Sequence, residues 1–201
     1  MRVLGMLAGV GTLLREAQDA GCEVIGNIET RPYFRTIPDV WHANFPDKPL
    51  VTDAIHLHAM NQNGIYYQPD IILGHPPCGS HSILGVAHSL DLPELERAER
   101  KERRSQRMGL LPLFVLGVNT LQPKVFALDN LPKILEKVAT RAWWKESLPN
   151  YRMTFITMRN WDYGTPQMRT RLWVIGVRRP MPRFELKIPT KRLPGPSTVW
   201  E

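Results

Sequence analysis

Residues 69–78 read Pro-Asp-Ile-Ile-Leu-Gly-His-Pro-Pro-Cys, and no other run limits the fold as much. Ile71, Ile72 and Leu73 make a short apolar strand. Proline has no N–H to give a sheet ladder, so the strand must stop at the two prolines. In an open α/β sheet, ligands bind just beyond the carboxyl ends of the strands. Cys78 is therefore fixed by a rigid turn where a nucleophile would sit. From this segment alone two readings stay open: a nucleophilic thiol, or a small buried cysteine in a loop.

The rest of the chain alternates apolar strands with helical patterns. Strands are expected at Val3–Met6, Val24–Ile25 (ending near Glu29), Leu50–Val51, Ile71–Leu73 and Val125–Leu128. Helices are expected after Gly11, through Leu13, Leu14 and Ala17; in part of Pro32–Asn44, interrupted at Pro38, with Trp41 toward the core; over Gly109–Leu121; and around Ile134, Leu135 and Val138. Met153–Met158 and Leu172–Val177 read as two last strands joined by a polar Gly-Pro loop. The alternation predicts an α/β fold with a mostly parallel sheet and a C-terminal antiparallel pair. Residues 1–178 are expected to form one domain, and 179–201 an irregular proline-rich tail.

A chain of 201 residues can bury a substantial core. No apolar run approaches the roughly 18 residues that span a membrane. The N-terminus reads as a first strand and lacks a full signal-peptide pattern. Two cysteines, Cys22 and Cys78, make neither a disulfide framework nor a zinc spacing. No membrane contact and no metal are expected, and the cytoplasm is the expected compartment. The net charge of +7 favours an acidic partner, nucleic acid being the common one.

Ala8-Gly9-Val10-Gly11 lies between the first strand and the first helix. Glycines there permit a tight turn and a close approach of ligand to backbone. Glu29 ends the next strand about 20 residues on, where an acid commonly binds ribose hydroxyls. The pair points to a nucleoside-containing cofactor, the alternative being a tight turn and a solvated glutamate. Asp53, after the third strand, either meets an adenine amino group or caps the helix beginning near Ala54.

Together these segments resemble the cytosine-C5 DNA methyltransferase family, from Leu4 to Val177. Ala8–Gly11 looks like its S-adenosylmethionine loop, Glu29 like its ribose-binding acid and Asp53 like its adenine-side acid. Pro76-Pro77-Cys78 matches the catalytic Pro-Pro-Cys, and Ser82 the serine that follows. Asp129-Asn130-Leu131 stands where the family has Glu-Asn-Val. Residues 163–171, Tyr-Gly-Thr-Pro-Gln-Met-Arg-Thr-Arg, resemble the Gly-x-Pro-Gln-x-Arg-x-Arg motif. The resemblance implies a Rossmann-like methyltransferase fold with S-adenosylmethionine bound by Leu7, Gly9, Gly11, Glu29, Asp53 and Pro76.

The implied chemistry begins with the Cys78 thiolate adding to C6 of cytosine, which makes C5 nucleophilic toward the cofactor methyl group. Loss of the C5 proton and elimination of the thiol restore the ring. Asp129 would face N3 and the 4-amino group, while Arg169 and Arg171 would donate to O2 and nearby groups. Duplex DNA hides C6, so the base must be flipped out. Ser82 and Gln167 join the implied DNA contacts.

The chain departs from the family at several places. Asp129 is one methylene shorter than the usual Glu, a difference of roughly 1.5 Å. Gly79 stands for Gln, His81 for Phe, Thr12 for Gly, and Leu7 for a frequent aromatic. Residues 178–201 are too short for the family's target-recognition domain. A minimal enzyme of low specificity, half of a split enzyme completed by a second protein subunit, and a relative that binds without catalysing all fit. Methylation of RNA or a free nucleotide is a further alternative. Between Glu94 and Arg107, Arg97, Arg100, Arg103, Arg104 and Arg107 are interleaved with acids. They either meet DNA phosphates or form a solvated helix of Glu–Arg pairs. Trp143 and Trp144 either stack on bases or pack in the core or an interface.

Overall fold

The computed structural model describes residues 1–30, 36–52, 68–77, 110–137, 139–164, 167–182 and 187. Among them run β1 (Arg2–Met6), α1 (Thr12–Asp19), β2 (Glu23–Ile28), α2 (Ile37–Asn44), β3 (Leu50–Val51) and β4 (Ile71–Gly74). Then come α3 (Leu110–Leu121), β5 (Val125–Asn130), α4 (Ile134–Lys137), α5 (Arg141–Ser147), β6 (Tyr151–Arg159), a 3₁₀ turn (Asn160–Tyr163) and β7 (Thr170–Arg178). The described strands form one seven-stranded sheet in the order β3-β2-β1-β4-β5-β7-β6. Pairs from β3 to β5 are parallel, and β7 pairs antiparallel with both β5 and β6. This is the Rossmann-like sheet with a terminal antiparallel pair that the sequence predicts.

Alternation along the strands builds two cores, because successive side chains leave opposite faces. On one face Val3, Ile71 and Leu73 meet α1 and α2 through Leu14, Trp41 and Phe45. On the other, Leu4, Met6 and Ile72 lie in the cluster that contains Phe114 of α3 and Trp144 of α5. Phe126 centres that second core, with ring centroids 5.9 Å from Phe114, 6.3 Å from Trp144 and 5.3 Å from Tyr151. Removing so enclosed a ring would cost about 3–5 kcal/mol. Trp144 thus packs in the core.

Some boundaries differ from expectation. Pro38 does not interrupt a helix; it sits in the first turn of α2, where its missing N–H would have no intrahelical partner anyway. Helix α5 is not apparent from the sequence; Thr140 caps it by accepting from the Trp143 N–H at 3.2 Å. Beyond β7, the Arg179 N–H donates to the Asn150 carbonyl at 2.8 Å, and the Arg152 guanidinium donates to the Met181 carbonyl. Among the described residues no helix is long and apolar enough to cross a membrane.

The two ends of the sheet are used differently. At the amino end, Asp70 accepts from the Arg2 N–H at 2.8 Å and pairs with Lys124 at 2.7 Å. The Lys124 contact, helped by the Arg2 N–H, holds its carboxyl below the ordinary aspartate value. That clamp ties β1, β4 and β5 together, away from the site. At the carboxyl end the chain order reverses: β1 has β2 on one side and β4 on the other. Such a switch point opens a crevice where ligands bind in α/β sheets.

Candidate active site

The register lines up the residues that border this crevice. Val51, Ile28, Met6, Gly74 and Leu128 form one row across β3, β2, β1, β4 and β5. The residues that follow this row along β2, β1, β4 and β5 are Glu29, Leu7 and His75, each just past its strand's end, and Asp129. Glu29 and Asp129 therefore stand three strands apart, about 14 Å at the usual strand spacing, on either side of the switch point.

The turn after β1 is held open from below. Leu7 and Gly9 have positive φ, 57° and 61°, and Gly11 has φ 88°. A Cβ on Gly11 would lie 2.6 Å from Phe45 and 2.9 Å from Trp41, whose rings stack with centroids 4.5 Å apart. Gly11 must be glycine because the turn rests on that stack. Gly9 is the opposite case: a Cβ there would meet nothing within 4 Å, so its outer side faces open space. The Asn27 amide donates to the Gly9 carbonyl at 3.1 Å, and the Asn44 amide to the Val10 carbonyl at 3.3 Å. The Leu7 side chain is buried in the core rather than turned into the crevice.

Glu29 lies beneath this turn, only 8% exposed. Its Oε2 accepts from the Gly9 N–H at 2.9 Å and its Oε1 from the Thr30 N–H at 3.2 Å. Burial pushes the carboxyl above its ordinary value; the Gly9 and Thr30 donors and the charge of His75 oppose that without cancelling it. A carboxylate oxygen has two acceptor sites, so each oxygen keeps one for a further donor. Two vicinal hydroxyls beside an open glycine would suit them. The residues present therefore fit a nucleoside.

On the other side of the crevice, Asp129 is almost wholly buried at the end of β5. His75 Nδ1 donates to its Oδ2 at 2.8 Å, and the Arg171 Nε lies 3.7 Å from the same oxygen. Asp129 Oδ1 is also buried, yet has no hydrogen-bond partner. Asn130 locks the neighbouring turn: its amide donates to the Pro76 carbonyl at 3.2 Å, and its Oδ1 accepts from the Leu131 N–H at 2.8 Å. The end of β5 thus carries an acidic group and also holds the Pro76–Pro77 turn that leads to Cys78.

Among the expected site residues, the structure brings together Gly9, Gly11 and Glu29 on one side and Pro76, Asp129 and Arg171 on the other. Arg169 and Gln167 are exposed. Gln167 accepts from the Asn160 amide at 3.1 Å, the Arg169 carbonyl accepts from the Asn160 N–H, and among the described residues Arg171 but not Arg169 contacts Asp129. Asp53, Cys78, Ser82, Arg97, Arg100, Arg103, Arg104 and Arg107 lie outside the described residues. Sequence reasoning gave no role to His75, Asn27, Asn44 or Asn130. Of these Asn130 had a readable signal, its place in the Asp129-Asn130-Leu131 segment, whereas His75 comes opposite Asp129 only once β4 is set beside β5.

A Rossmann-like sheet that ends in an antiparallel pair, with a glycine turn and two buried acids on either side of its switch point, has the methyltransferase fold. The family model for C-5 cytosine-specific DNA methylases matches residues 1–200, and the chain belongs to that family. Dependence on S-adenosylmethionine is a defining feature of the family. Among curated relatives, the type II methyltransferase M.DdeI of Desulfomicrobium norvegicum is 26% identical over 216 residues, covering 100% of this chain and 47% of that protein. M1.HphI of Haemophilus parahaemolyticus is 25% identical over 184 residues, 86% of this chain and 45% of that protein. The chain thus spans about half the length of these two relatives. M.AquIA of Picosynechococcus is 25% identical over 201 residues, 88% of this chain and 72% of that protein. A solved structure of an E. coli prophage-encoded protein superposes with a TM-score of 0.66 at 25% identity, covering 89% of this chain and 47% of that one. Spodoptera frugiperda DNMT2 shares the fold, with a TM-score of 0.66 at 16% identity, covering 96% of this chain and 57% of that one.

Proposed function

We propose that this protein methylates C5 of cytosine in DNA, with residues 1–178 as the catalytic domain and Cys78 as the nucleophile. The observation that carries this reading is the lone buried Oδ1 of Asp129, beside the turn that Asn130 holds ahead of Cys78. An acceptor left unpaired in a protein interior costs about 1–3 kcal/mol. The 4-amino group of a flipped cytosine would satisfy it. Thymine and uracil present an oxygen at that position and would not.

Gly9, Gly11 and Glu29 would hold S-adenosylmethionine, Glu29 through the ribose hydroxyls, with Asp53 on the adenine side and Pro76 at the edge of the pocket. When bound, the cofactor supplies an electrophilic methyl group. Cys78 adds to C6, and the displaced electron density is taken up along the ring toward N3 and O2. Asp129 Oδ1 holds the 4-amino group, while Arg171 and Arg169 serve O2 and the groups around it. C5 then takes the methyl group, leaving the cofactor as its demethylated thioether; the C5 proton passes to solvent as the C6–S bond breaks and the Cys78 thiolate is re-formed. Ser82, Gln167 and the arginines from Arg97 to Arg107 serve the DNA backbone and the flipped nucleotide. A second protein subunit would supply target recognition.

The test is transfer of labelled methyl groups to unmethylated DNA, RNA and dCTP in parallel. DNA is expected to be the acceptor, with Cys78→Ser inactive and Cys22→Ser active. Turnover by Cys78→Ser would refute the mechanism, and preference for RNA or dCTP would refute the substrate.

A further inference from the structure

His75 belongs to none of the groups assigned above, yet it stands between the two acids of the crevice. The register that ends at Gly74 and Leu128 continues with His75 opposite Asp129, and Nδ1 donates to Oδ2 at 2.8 Å. The imidazole is about a third exposed and the carboxylate about a tenth, so the ring is the outer member of the pair. Its charge also reaches Glu29. Among the described residues the charged groups around it include Asp129 on β5, Arg171 on β7 and Glu29 after β2.

A carboxylate on a single methylene can turn about its Cα–Cβ and Cβ–Cγ bonds, and either oxygen can face the substrate. Here one oxygen has a partner and the other has none. A planar ring donor of fixed direction selects that orientation, whereas the longer Arg171 contact at 3.7 Å does not fix it alone. Orientation matters in rate because a misplacement of about 1 Å costs about 100-fold.

We propose that His75 is a positioning residue for the reaction: by donating from Nδ1 to Asp129 Oδ2 it leaves Oδ1 as the oxygen presented to the base, and so allows an aspartate to serve where the family has a glutamate. This rests on the methyltransferase reading. His75 need not touch cytosine or cofactor. Asparagine can imitate it, since the Asn amide nitrogen lies near the place of imidazole Nδ1. A longer carboxylate can replace the pair, because glutamate reaches further and needs the space that the ring fills.

The test is steady-state methyl transfer to DNA by the full-length protein and by four variants: His75→Ala, His75→Asn, Asp129→Glu and the double variant His75→Ala/Asp129→Glu. For His75→Ala, kcat should fall about tenfold or more while both KM values stay within about twofold, the pattern of a group that acts in the transition state. His75→Asn should keep kcat within about threefold of wild type. Asp129→Glu should be impaired alone and improved by removal of the ring. Wild-type kcat in His75→Ala, or equal losses in the Ala and Asn variants, would overturn the positioning role while leaving the methyltransferase reading intact. A loss in His75→Ala that appears only in KM would do the same. Absence of transfer by the wild-type protein would instead overturn that reading, and this inference with it.

Discussion

Glu29 and Asp129 are both buried acids, but their surroundings ask different things of them. Each Glu29 oxygen already accepts one backbone N–H, and burial still holds its carboxyl above the ordinary value. In the free protein, the sign follows from that direction. The folded state binds the Glu29 proton more tightly than the unfolded chain does, so this group's stabilising contribution is present below its ordinary value and lost as pH rises through the folded value. A ribose diol donates best to the ionised form. Cofactor affinity is therefore predicted to rise with pH through the raised Glu29 value and to level off above it. Calorimetric titrations from neutral pH down toward the ordinary carboxylate range would show this, and an affinity with the same pH slope in Glu29→Gln would contradict it. The spacing from Gly9 to Glu29 was legible in the sequence because it lies within one strand–helix–strand unit. The His75–Asp129 contact was not, because it joins strands separated by 50 residues of chain and depends on their being neighbours in the sheet.

At the scale of elements, the sequence pattern carried most of the sheet. Alternation and Gly-Pro punctuation located all seven described strands, and the antiparallel pairing of β6 and β7 follows from the loop between them. Helices were read less well. Pro38 looked like an interruption because a proline within a helix breaks it, but in the first turn it does no harm. Helix α5 is only seven residues long, too short for periodicity to stand out, and its tryptophans could belong to either a core or a surface. The link between β5 and the turn after β4 is Asn130, which is 1% exposed. Asn130→Ala is predicted to lower stability by about 1–3 kcal/mol, since it leaves the Pro76 carbonyl and the Leu131 N–H without their partner. It should lower methyl transfer further than cofactor binding, because the freed turn precedes Cys78. Denaturant melts combined with calorimetry would separate these effects; equal losses in rate and cofactor affinity would contradict the role given to the turn.

For the whole molecule, charge and the division of labour across the crevice bear on DNA. The net charge of +7 favours phosphate contacts that need no particular sequence. The 201-residue protein is predicted to bind duplex DNA with an affinity that falls steeply with salt and varies little with sequence. Binding isotherms over a salt series on several duplexes would test this, and a salt-insensitive or strictly sequence-dependent affinity would contradict it. In the proposed reaction the thiol after the Pro76–Pro77 turn attacks cytosine while Asp129 holds the base. This attack is tested most directly by incubating the protein with cofactor and DNA containing 5-fluorocytosine, whose fluorine prevents the final elimination. The expected product is a denaturation-resistant protein–DNA adduct whose attachment maps to Cys78 and which Cys78→Ser does not form. An adduct at another residue, or methyl transfer from the cofactor without any adduct, would contradict it.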